Sequence, residues 1–407
     1  MLDDYQRAES FLLILVNNPY TIINFLLTFG CRHMVNILYL AHDLADASSQ
    51  KRVRMLKAGG AEVVIAGFHR SETPPSSIFD CPVINLGRTY NANFKQRIFS
   101  VIKVLLKIKQ LQNALQKSDV IIARNLEMLS IAVRGKRLYK TDGRVVYESL
   151  DIHRLLLRKD LIGKTLRTLE EKLCKHVDRL WTSSPAFVHG YFEPLSKIEL
   201  PITIVENRIF DPENILKKIP AVNPADGNMW VIGWFGAIRC HKSLNILCDL
   251  VKKRDDVRVI IRGRPSYDQF DDFDKIVRET DGIDFMGPYN NPEDLAEIYS
   301  EVHFTWAIDM FEEGLNSSWL LPNRLYEGGL FSSIPIADKN VYTGRYLEEI
   351  SLGILVDKVD VDNLCHVFDS MTVDAYNNLK THADKIDKSQ WVCSIEECKG
   401  LIKEIVS

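Results

Sequence analysis

One stretch of the sequence, NSSWLLPNRLYEGGLFSSIPIA (316–337), combines serine hydroxyls, a proline, a carboxylate and two glycines. The pattern predicts a polar loop, a helix whose first residue is Pro322, and a short buried strand. Ser317 and Ser318 are predicted to cap the helix, whose free amides suit an anion. The carboxylate of Glu327 could accept two hydroxyls of a ribose while the helix start holds a diphosphate. The alternative is an ordinary strand–helix–strand unit with an exposed glutamate.

A second turn, GWFGAIRCHKSL (233–244), places two cations beside a predicted helix start. Gly236 permits a tight turn next to a ligand, and Arg239 and Lys242 lie three positions apart, so both can face one site. Two fixed cations suit a diphosphate leaving group, because negative charge grows on it as the bond to a sugar breaks. The alternative is a pair of solvated charges, which the helix dipole disfavours unless an anion binds.

Short apolar runs alternate with helical segments along most of the 407 residues. This rhythm predicts an α/β protein with two doubly wound, Rossmann-like domains that face a cleft. The predicted segments are an N-terminal apolar extension (1–33), an N-terminal domain (34–206), a linker (207–228), a C-terminal domain (229–375) and a C-terminal helical segment (376–407).

The apolar extension has two interpretations. Its run FLLILVNNPYTIINFLLTF (11–29) is interrupted by Asn17, Asn18 and Pro19, so each arm is too short to span a bilayer. It also lacks the basic leader of a secretory signal. Residues 1–33 are therefore either a pair of helices that lie on a membrane surface or sequence upstream of a translation start at Met34, and the second interpretation is preferred.

Composition and charge limit the functional classes. The chain has 51 basic and 54 acidic residues, yet residues 1–200 carry a net +10 and the remainder a net −13. The first half should therefore face an anionic surface or ligand. No aromatic and basic residues interleave as in nucleic-acid binders, and neither GxGxxG nor a P-loop is present. The eight cysteines lack metal-site spacing, and Cys393 and Cys398 are predicted to face different sides of a helix.

The second half resembles the donor-binding domain of GT-B glycosyltransferases, in particular the retaining family-four type that builds bacterial exopolysaccharides and lipopolysaccharides. In that family an arginine–lysine pair holds the donor diphosphate and a glutamate holds the ribose. The segments that carry the resemblance are GAIRCHKSL (236–244), RVIIRG (258–263), MGPYNNPEDLAEIY (286–299), PNRLYEGG (322–329) and SIPIA (333–337). The donor-binding residues that it implies are Gly236, Arg239, Lys242, Arg262, Tyr289, Ser317, Asn323, Arg324 and Glu327. The resemblance also implies that the C-terminal segment (376–407) returns to the first domain.

The sequence departs from the family pattern at two positions. The family often places its arginine five residues before the lysine, where this chain has Ala237, so Arg239 is a substitute. A second glutamate commonly lies eight residues before the ribose glutamate, and here that position is Trp319. Glu312 or Glu313 could take the sugar-facing role, and Glu313 is the catalytic candidate.

Candidates for the acceptor side come from strand ends of the first domain. The segment YESLDIH (147–153) matches the family's aspartate with Asp151, while His153 lies two residues beyond it. Either side chain could orient or deprotonate an acceptor hydroxyl. The alternative role for Asp151 is to cap the next helix. Asp43 and Arg124 are further acceptor-side candidates.

The predicted helix at 94–117 has an apolar stripe and a basic opposite side. Such a helix either covers a sheet or lies on anionic lipid, where each cation contributes ~1 kcal/mol. Together with the basic first half, this pattern predicts docking on an anionic membrane surface and a lipid-linked acceptor. The predicted localisation is cytoplasmic, either free or peripheral on the inner face of the cytoplasmic membrane.

The sequence thus predicts a glycosyltransferase that moves a sugar from a nucleotide diphosphate donor to a lipid-linked glycan in cell-surface polysaccharide biosynthesis. No cofactor or metal and no nucleic-acid partner is expected. A nucleotide-sugar epimerase of the same fold and a catalytically silent GT-B partner subunit are the alternatives.

Overall fold

The computed structural model describes residues 34–90, 94–213, 216 and 228–407. The predicted extension (1–33) and most of the predicted linker lie outside these described residues. No helix within the described ranges is both long and apolar enough to cross a bilayer.

The first sheet has eight strands in the order β3-β4-β2-β1-β5-β6-β7-β8. All neighbours are parallel except β3 and β4, which are antiparallel. The central strands are buried on both faces, as expected for a parallel sheet covered by helices. The strands are β1 Asn36–Ala41, β2 Glu62–His69, β3 Ser77–Ile78, β4 Cys81–Arg88, β5 Val120–Arg124, β6 Arg144–Ser149, β7 Arg179–Thr182 and β8 Ile202–Ile204.

Six α-helices accompany this sheet within the described residues. Local signals set several of their starts: α1 begins after Asp46, whose carboxylate accepts the Ser49 amide, and α5 begins after Asp160, which accepts the Gly163 amide. A π-helix at Val188–Ser196 continues α6. The helices are α1 Ala47–Ala58, α2 Phe94–Leu106, α3 Gln112–Lys117, α4 Asn125–Tyr139, α5 Leu161–Cys174 and α6 Pro185–Phe187.

The second sheet has six strands, all parallel, in the order β11-β10-β9-β12-β13-β14. The strands are β9 Trp230–Ile238, β10 Val257–Pro265, β11 Ile283–Phe285, β12 Phe304–Trp306, β13 Ile334–Asp338 and β14 Ile354–Val356. The helices are α7 His241–Lys253, α8 Phe273–Arg278, α9 Leu295–Ser300, α10 Asn323–Leu330, α11 Tyr342–Glu349, α12 Val361–Asp369, α13 Val373–Lys385 and α14 Ile395–Val406.

The predicted α/β fold class with two parallel sheets is confirmed. Each sheet has its own buried apolar core. One helix differs from the prediction, because the segment 94–117 is interrupted after Leu106 by a 3₁₀ turn at Ile108–Leu111 and resumes as α3. Ile108 and Leu111 of this turn are buried in the core of the first sheet.

The last helix, α14, packs against α1 of the first sheet. A Cβ added at Gly59, just after α1, would lie 2.6 Å from the Cys398 carbonyl oxygen of α14. Arg179 of β7 and Glu404 form an ion pair at 2.8 Å on the same side. The preceding Trp391 is fully buried, and its ring lies 2.6 Å from a Cβ added at Gly329 of α10. Residues from Trp391 onward therefore contact elements of both sheets.

A buried ion network lies near the carboxyl ends of β1, β5 and β6. The Glu148 carboxylate accepts from Arg52 Nε at 2.6 Å and from the Tyr39 hydroxyl at 2.7 Å, and Arg124 lies 3.6 Å away. Arg124 also pairs with Asp46 at 3.2 Å. Burial raises the pKa of Glu148, but the two arginines outweigh it, so that the pKa is lowered overall. The network joins three central strands to α1.

We expect Glu148→Gln to lower the free energy of unfolding by ~3–5 kcal/mol, because two buried guanidinium groups would lose their partner. Because the folded pKa of Glu148 lies below its unfolded value, this stabilisation is present above the unfolded pKa and is lost as pH falls through the folded pKa. Urea denaturation between neutral and acidic pH measures both effects, with Glu404→Gln as the half-exposed control, for which ~1 kcal/mol or less is expected. Equal losses in the two variants would contradict a special role for the buried network.

Candidate active site

The loop that follows β12, residues 307–322, joins the two sheets. Asn316 uses its side-chain amide as a clasp: its Oδ1 accepts the Ile152 amide at 2.9 Å, and its Nδ2 donates to the Ile152 carbonyl at 2.5 Å. The same Nδ2 donates to the Glu312 carboxylate. Since Ile152 directly follows Asp151, the clasp fixes the strand-end loop of β6 against the second sheet.

Trp319 provides the apolar part of the same contact. Its carbonyl accepts from the Ser184 hydroxyl at 2.8 Å, and its ring meets Phe187 edge-on at 6.2 Å. A Cβ added at Gly190 would lie 2.5 Å from the indole, so only glycine leaves room for it. The position at which the family commonly has a second glutamate therefore packs against the first sheet's core in this chain.

The two predicted diphosphate-binding cations face carboxylates of the joining loop. Arg239 lies at the end of β9, with its guanidinium 4.5 Å above the Phe311 ring and 3.9 Å from Asp309. Lys242, in the first turn of α7, hydrogen-bonds Glu313, which raises the pKa of the ammonium. Lys242 and Glu313 are both exposed, so their pairing contributes little stability and an anionic ligand can replace Glu313 at small cost. Arg239 is partly exposed and Asp309 is largely buried, but their contact is long, so the guanidinium is not tightly held by that carboxylate.

Ser317 does not cap α10, contrary to the prediction. Its hydroxyl donates to Asp309 at 2.7 Å and accepts the Glu312 amide at 2.9 Å, so it shapes the loop. The helix α10 also starts one position later than predicted, at Asn323 and without a side-chain cap, so that Pro322 is the extended residue before it. The misplacement arises because a 3₁₀ turn at Asn316–Ser318 occupies both serines.

Glu327 of α10 is buried among three donors. One oxygen accepts from Asn291 Nδ2 at 2.7 Å, and the other from the hydroxyls of Tyr289 and Tyr299 at 3.3 and 3.2 Å. Burial raises the pKa of Glu327, while Tyr299 and the charge of Lys51 oppose the rise. The two tyrosine bonds are longer than an ordinary O–H···O bond, so hydroxyls of a ligand could compete for that oxygen.

The glycine turns bring backbone close to this carboxylate. Gly236 has φ of +107°, and the Tyr289 hydroxyl lies 3.9 Å from a Cβ built on it. Gly263 pairs with Gly236 across β9 and β10, and a Cβ there would fall 1.9 Å from the Gly236 carbonyl oxygen. The resulting bare backbone lies next to the Tyr289–Glu327 pair, as a ligand-binding turn requires.

Two of the three other implied donor residues have structural partners, and the third is exposed. Arg324 is buried and donates to the carbonyls of Trp306 and Ile308 at 2.5 and 2.6 Å, which ties α10 to the end of β12. Arg262 pairs with Glu301 at 3.0 Å. The Asn323 side chain is exposed at the helix start. Of these three, only Asn323 lies where the helix start could meet a ligand.

Asp151 projects into the cleft at the clasp. It is exposed, yet surrounding protein raises the pKa of its carboxyl, with Glu312 and Asp309 adding to the rise and Arg239 and Arg124 opposing it. These charges come from both sheets, so Asp151 lies where the halves meet. Asp151 does not cap the next helix, because Asp160 fills that position.

The remaining acceptor-side candidates are less close to this point. Asp43 is buried and pairs with Arg70 at 3.0 Å. Arg124 belongs to the buried network of Glu148 but acts electrostatically on Asp151. His153 is exposed, and its Nδ1 accepts the Leu155 amide at 3.3 Å. Only Arg124 thus joins the cluster around Asp151.

Four residues of the site were missed from the sequence. Tyr299 and Asn291 hold Glu327 from the segment 286–299, where only Tyr289 was singled out. Asp309 and Asn316 hold the joining loop. Spacing relative to Glu327 could have suggested the first two, but nothing local indicates that Asn316 pairs with a backbone group 164 positions away.

Comparison with known proteins gives one close relative. The chain is 44% identical over 378 residues to the succinoglycan biosynthesis protein ExoL of Rhizobium meliloti (strain 1021), which covers 92% of this chain and 94% of that protein. No protein-family model matches the chain.

Solved structures share the fold at low identity. Sucrose-phosphate synthase from Thermosynechococcus elongatus has a TM-score of 0.67 and 12% identity, covering 91% of this chain and 98% of that one. Anabaena HepE in complex with UDP has a TM-score of 0.63 and 13% identity, covering 91% and 99%. WaaG, a glycosyltransferase involved in lipopolysaccharide biosynthesis, has a TM-score of 0.59 and 11% identity, covering 90% and 99%. These likenesses confirm the predicted GT-B fold.

We expect Asn316→Ala to release the β6 loop, because the Ile152 amide and carbonyl would both lose their partner, at a cost of ~1–3 kcal/mol. Hydrogen–deuterium exchange followed by mass spectrometry should show faster exchange in the peptide that contains Ile152. Asn340→Ala is the matched control, since Asn340 is an exposed asparagine whose side chain bonds Asp338 and the Asp357 carbonyl, both in the second half of the chain. Unchanged exchange at Ile152 would mean that the clasp is not formed in solution.

Proposed function

Because this chain belongs to the family of the succinoglycan biosynthesis protein ExoL and has the GT-B fold, we propose that it transfers a sugar from a nucleotide diphosphate donor to a lipid-linked glycan. The observation that supports the proposal is the grouping of Arg239 and Lys242 with the carboxylates of the joining loop, next to Asp151 of the first sheet. On the same second sheet, Glu327 lies beside bare glycine backbone.

The donor would lie along the carboxyl ends of the second sheet. Glu327, freed from its long tyrosine bonds, would accept the ribose hydroxyls, and Gly236 would let the diphosphate approach the backbone. Arg239 and Lys242 would leave Asp309 and Glu313 to bind the phosphates. The electrostatic interaction strengthens during the reaction, because the leaving diphosphate gains negative charge as the bond to the anomeric carbon breaks.

The acceptor would enter from the first sheet. The pKa of the Asp151 carboxyl is raised above that of an ordinary aspartate. Asp151 would orient the acceptor hydroxyl and take its proton as the oxygen bonds to the anomeric carbon. Glu313 would then be available to face the donor sugar once Lys242 binds phosphate. The Arg239 charge lowers the pKa of Asp151, so the proposed donor and acceptor groups act on each other electrostatically.

A catalytically silent partner subunit is the second candidate. The observation that favours it is Trp319, which occupies the position of the family's second glutamate and is committed to packing on Phe187 and Gly190. Such a subunit would not turn over a donor, whether or not it binds one.

The decisive experiment follows nucleotide release and sugar transfer by the purified protein. The donor panel begins with UDP-sugars, because the neighbour HepE was crystallised with UDP and with UDP-glucose, and it continues with GDP- and dTDP-sugars. Membrane lipid extract supplies the acceptor. We expect Lys242→Ala to lower transfer by roughly 10²–10³-fold through lost leaving-group stabilisation. Glu327→Gln should weaken donor binding by roughly 10- to 100-fold.

Matched controls make this result specific. Lys252→Ala removes an exposed lysine from the same helix, and Glu349→Gln removes an exposed carboxylate near the second sheet; both should behave as wild type. Donor turnover to a new sugar isomer without acceptor would instead identify an epimerase. Absence of turnover with every donor would leave the silent subunit as the function.

The lipid-linked acceptor implies a membrane-facing surface, and we propose that α2, α4 and α5 form it on the inner face of the cytoplasmic membrane. The helices lie side by side on one face of the first sheet. They expose large apolar side chains next to cations, which suits insertion into anionic lipid. The exposed apolar residues are Phe99, Ile102, Leu106, Leu138, Leu161 and Ile162.

Vesicle sedimentation tests this surface. The double variant Phe99→Ser with Leu106→Ser should bind vesicles that contain phosphatidylglycerol at least roughly 10-fold more weakly, because two inserted apolar side chains are lost. Tyr267→Ser is the control: Tyr267 is 56% exposed, against 68% and 79% for Phe99 and Leu106, but lies on the second half. If the control weakens binding equally, or wild type does not bind, the proposed surface is wrong.

A further inference from the structure

Two cysteines meet at the start of α14. The sulfur atoms of Cys393 and Cys398 lie 3.9 Å apart, and the two residues are 6% and 1% exposed. This contact corrects the expectation that the two cysteines face different sides of a helix. A separation of 3.9 Å is nonbonded contact, close enough for a bond to form after a small rotation of the side chains.

The local sequence explains why a spacing of five brings the thiols together. Ser394 is the N-cap of α14 and shares a capping box with Glu397. Cys393 thus lies just before the cap and Cys398 is the fourth helical residue, the two positions that contact each other across a helix start. These positions usually hold an apolar pair, and here they hold two thiols. The prediction that the two cysteines face different sides of a helix was wrong because Cys393 lies outside the helix.

Charge distinguishes the two thiols. The pKa of Cys393 is lowered, chiefly by its hydrogen bond with Cys398 and with help from Arg208 and Arg52, whereas the pKa of Cys398 is raised. Arg208 is held in place by the Glu397 carboxylate and the Ser389 carbonyl. Cys393 is also the more exposed of the two thiols and lies beside the Arg208 charge, so we take it as the thiol that meets an oxidant first.

The other described cysteines lack this arrangement. Burial raises the pKa of the Cys81, Cys174 and Cys248 thiols. Within the described part of the chain, these three cysteines make no sulfur–sulfur hydrogen bond. A pocket of about 660 Å³ is lined by Val392 and Ser394, the two chain neighbours of Cys393, and by Arg208 and Glu397, so solvent comes close to this thiol.

We propose that Cys393 and Cys398 are a redox modification site that closes to a disulfide on exposure to a peroxide. The Cys393 thiolate attacks a peroxide oxygen, the O–O bond breaks, and hydroxide leaves as water after protonation, so that Cys393 becomes a sulfenic acid. Cys398 then attacks the sulfenic sulfur, the S–O bond breaks, and the leaving hydroxide takes the Cys398 proton as a second water. Two thiols are oxidised and one peroxide is reduced.

The site lies at a joint between the two sheets. Cys393 donates its backbone amide to Ile209 at 2.8 Å, and Ile209 donates to Trp391, so the segment before α14 pairs with the chain that leaves the first sheet. A disulfide would fix the turn into α14 while this pairing is in place. It should therefore slow the release of α14 from α1.

Mass spectrometry after limited peroxide treatment tests the proposal. The reduced full chain is treated with hydrogen peroxide, denatured, alkylated and digested with trypsin. Both cysteines fall in one tryptic peptide, SQWVCSIEECK (389–399). We expect this peptide to appear without alkyl label and lighter by the mass of two hydrogen atoms, while Cys174 and Cys248 are still fully alkylated.

Single variants assign the roles of the two thiols. In Cys398→Ser the sulfenic acid should persist at Cys393 and be trapped by dimedone, whereas Cys393→Ser should yield no adduct at Cys398. Recovery of both wild-type cysteines in alkylated form, or oxidation of Cys174 at the same rate as the pair, would overturn the proposal. Because the wild-type peptide gives the primary result, the test does not depend on how well either variant folds.

Discussion

The contact between the loop after β12 and the loop after β6 determines how the cleft is built. Asn316 satisfies both backbone groups of Ile152, and Trp319 packs where glycine leaves room. One contact is polar and directional, while the other is apolar and fills space. Together they set the distance between Asp151 and the cations of the second sheet, so the chemistry of the cleft depends on two residues that need not touch a substrate.

The charges of the molecule fall into two groups with different behaviour. The buried group around Glu148 is held by short bonds and stabilises the first sheet, so its members are not free to rearrange. The pairs of Arg239 and Lys242 are held more loosely, because Arg239 makes only a long contact with Asp309 and the Lys242–Glu313 pair is exposed to water. Burial thus separates charges that maintain the fold from charges that can bind a ligand. Arg124 is the exception, since it belongs to the first group yet acts on the cleft.

The sequence was informative wherever a signal is local. Strand and helix alternation predicted both parallel sheets, while the donor-binding roles inferred from the segments around Lys242 and Glu327 are still predictions. The predicted cap and start of α10 were wrong by a few residues. Ser317 was predicted to cap α10, but it lies in a 3₁₀ turn and its hydroxyl donates to Asp309. The clasp of Asn316 and Ile152 was not predictable, because a pairing across 164 positions depends on how the two sheets dock rather than on either neighbourhood.

The packing of α14 on α1 has a consequence for how the chain is made. Gly59 and Cys398 touch, although 339 positions separate them. During synthesis the first sheet can assemble long before α14 leaves the ribosome, and until then the side of α1 that α14 covers stays open to water. A ribosome that stalls while translating the second half of the chain would thus release a folded first sheet whose uncovered side of α1 is prone to aggregation. Chaperone demand should be greatest late in translation, when most of the protein is already native.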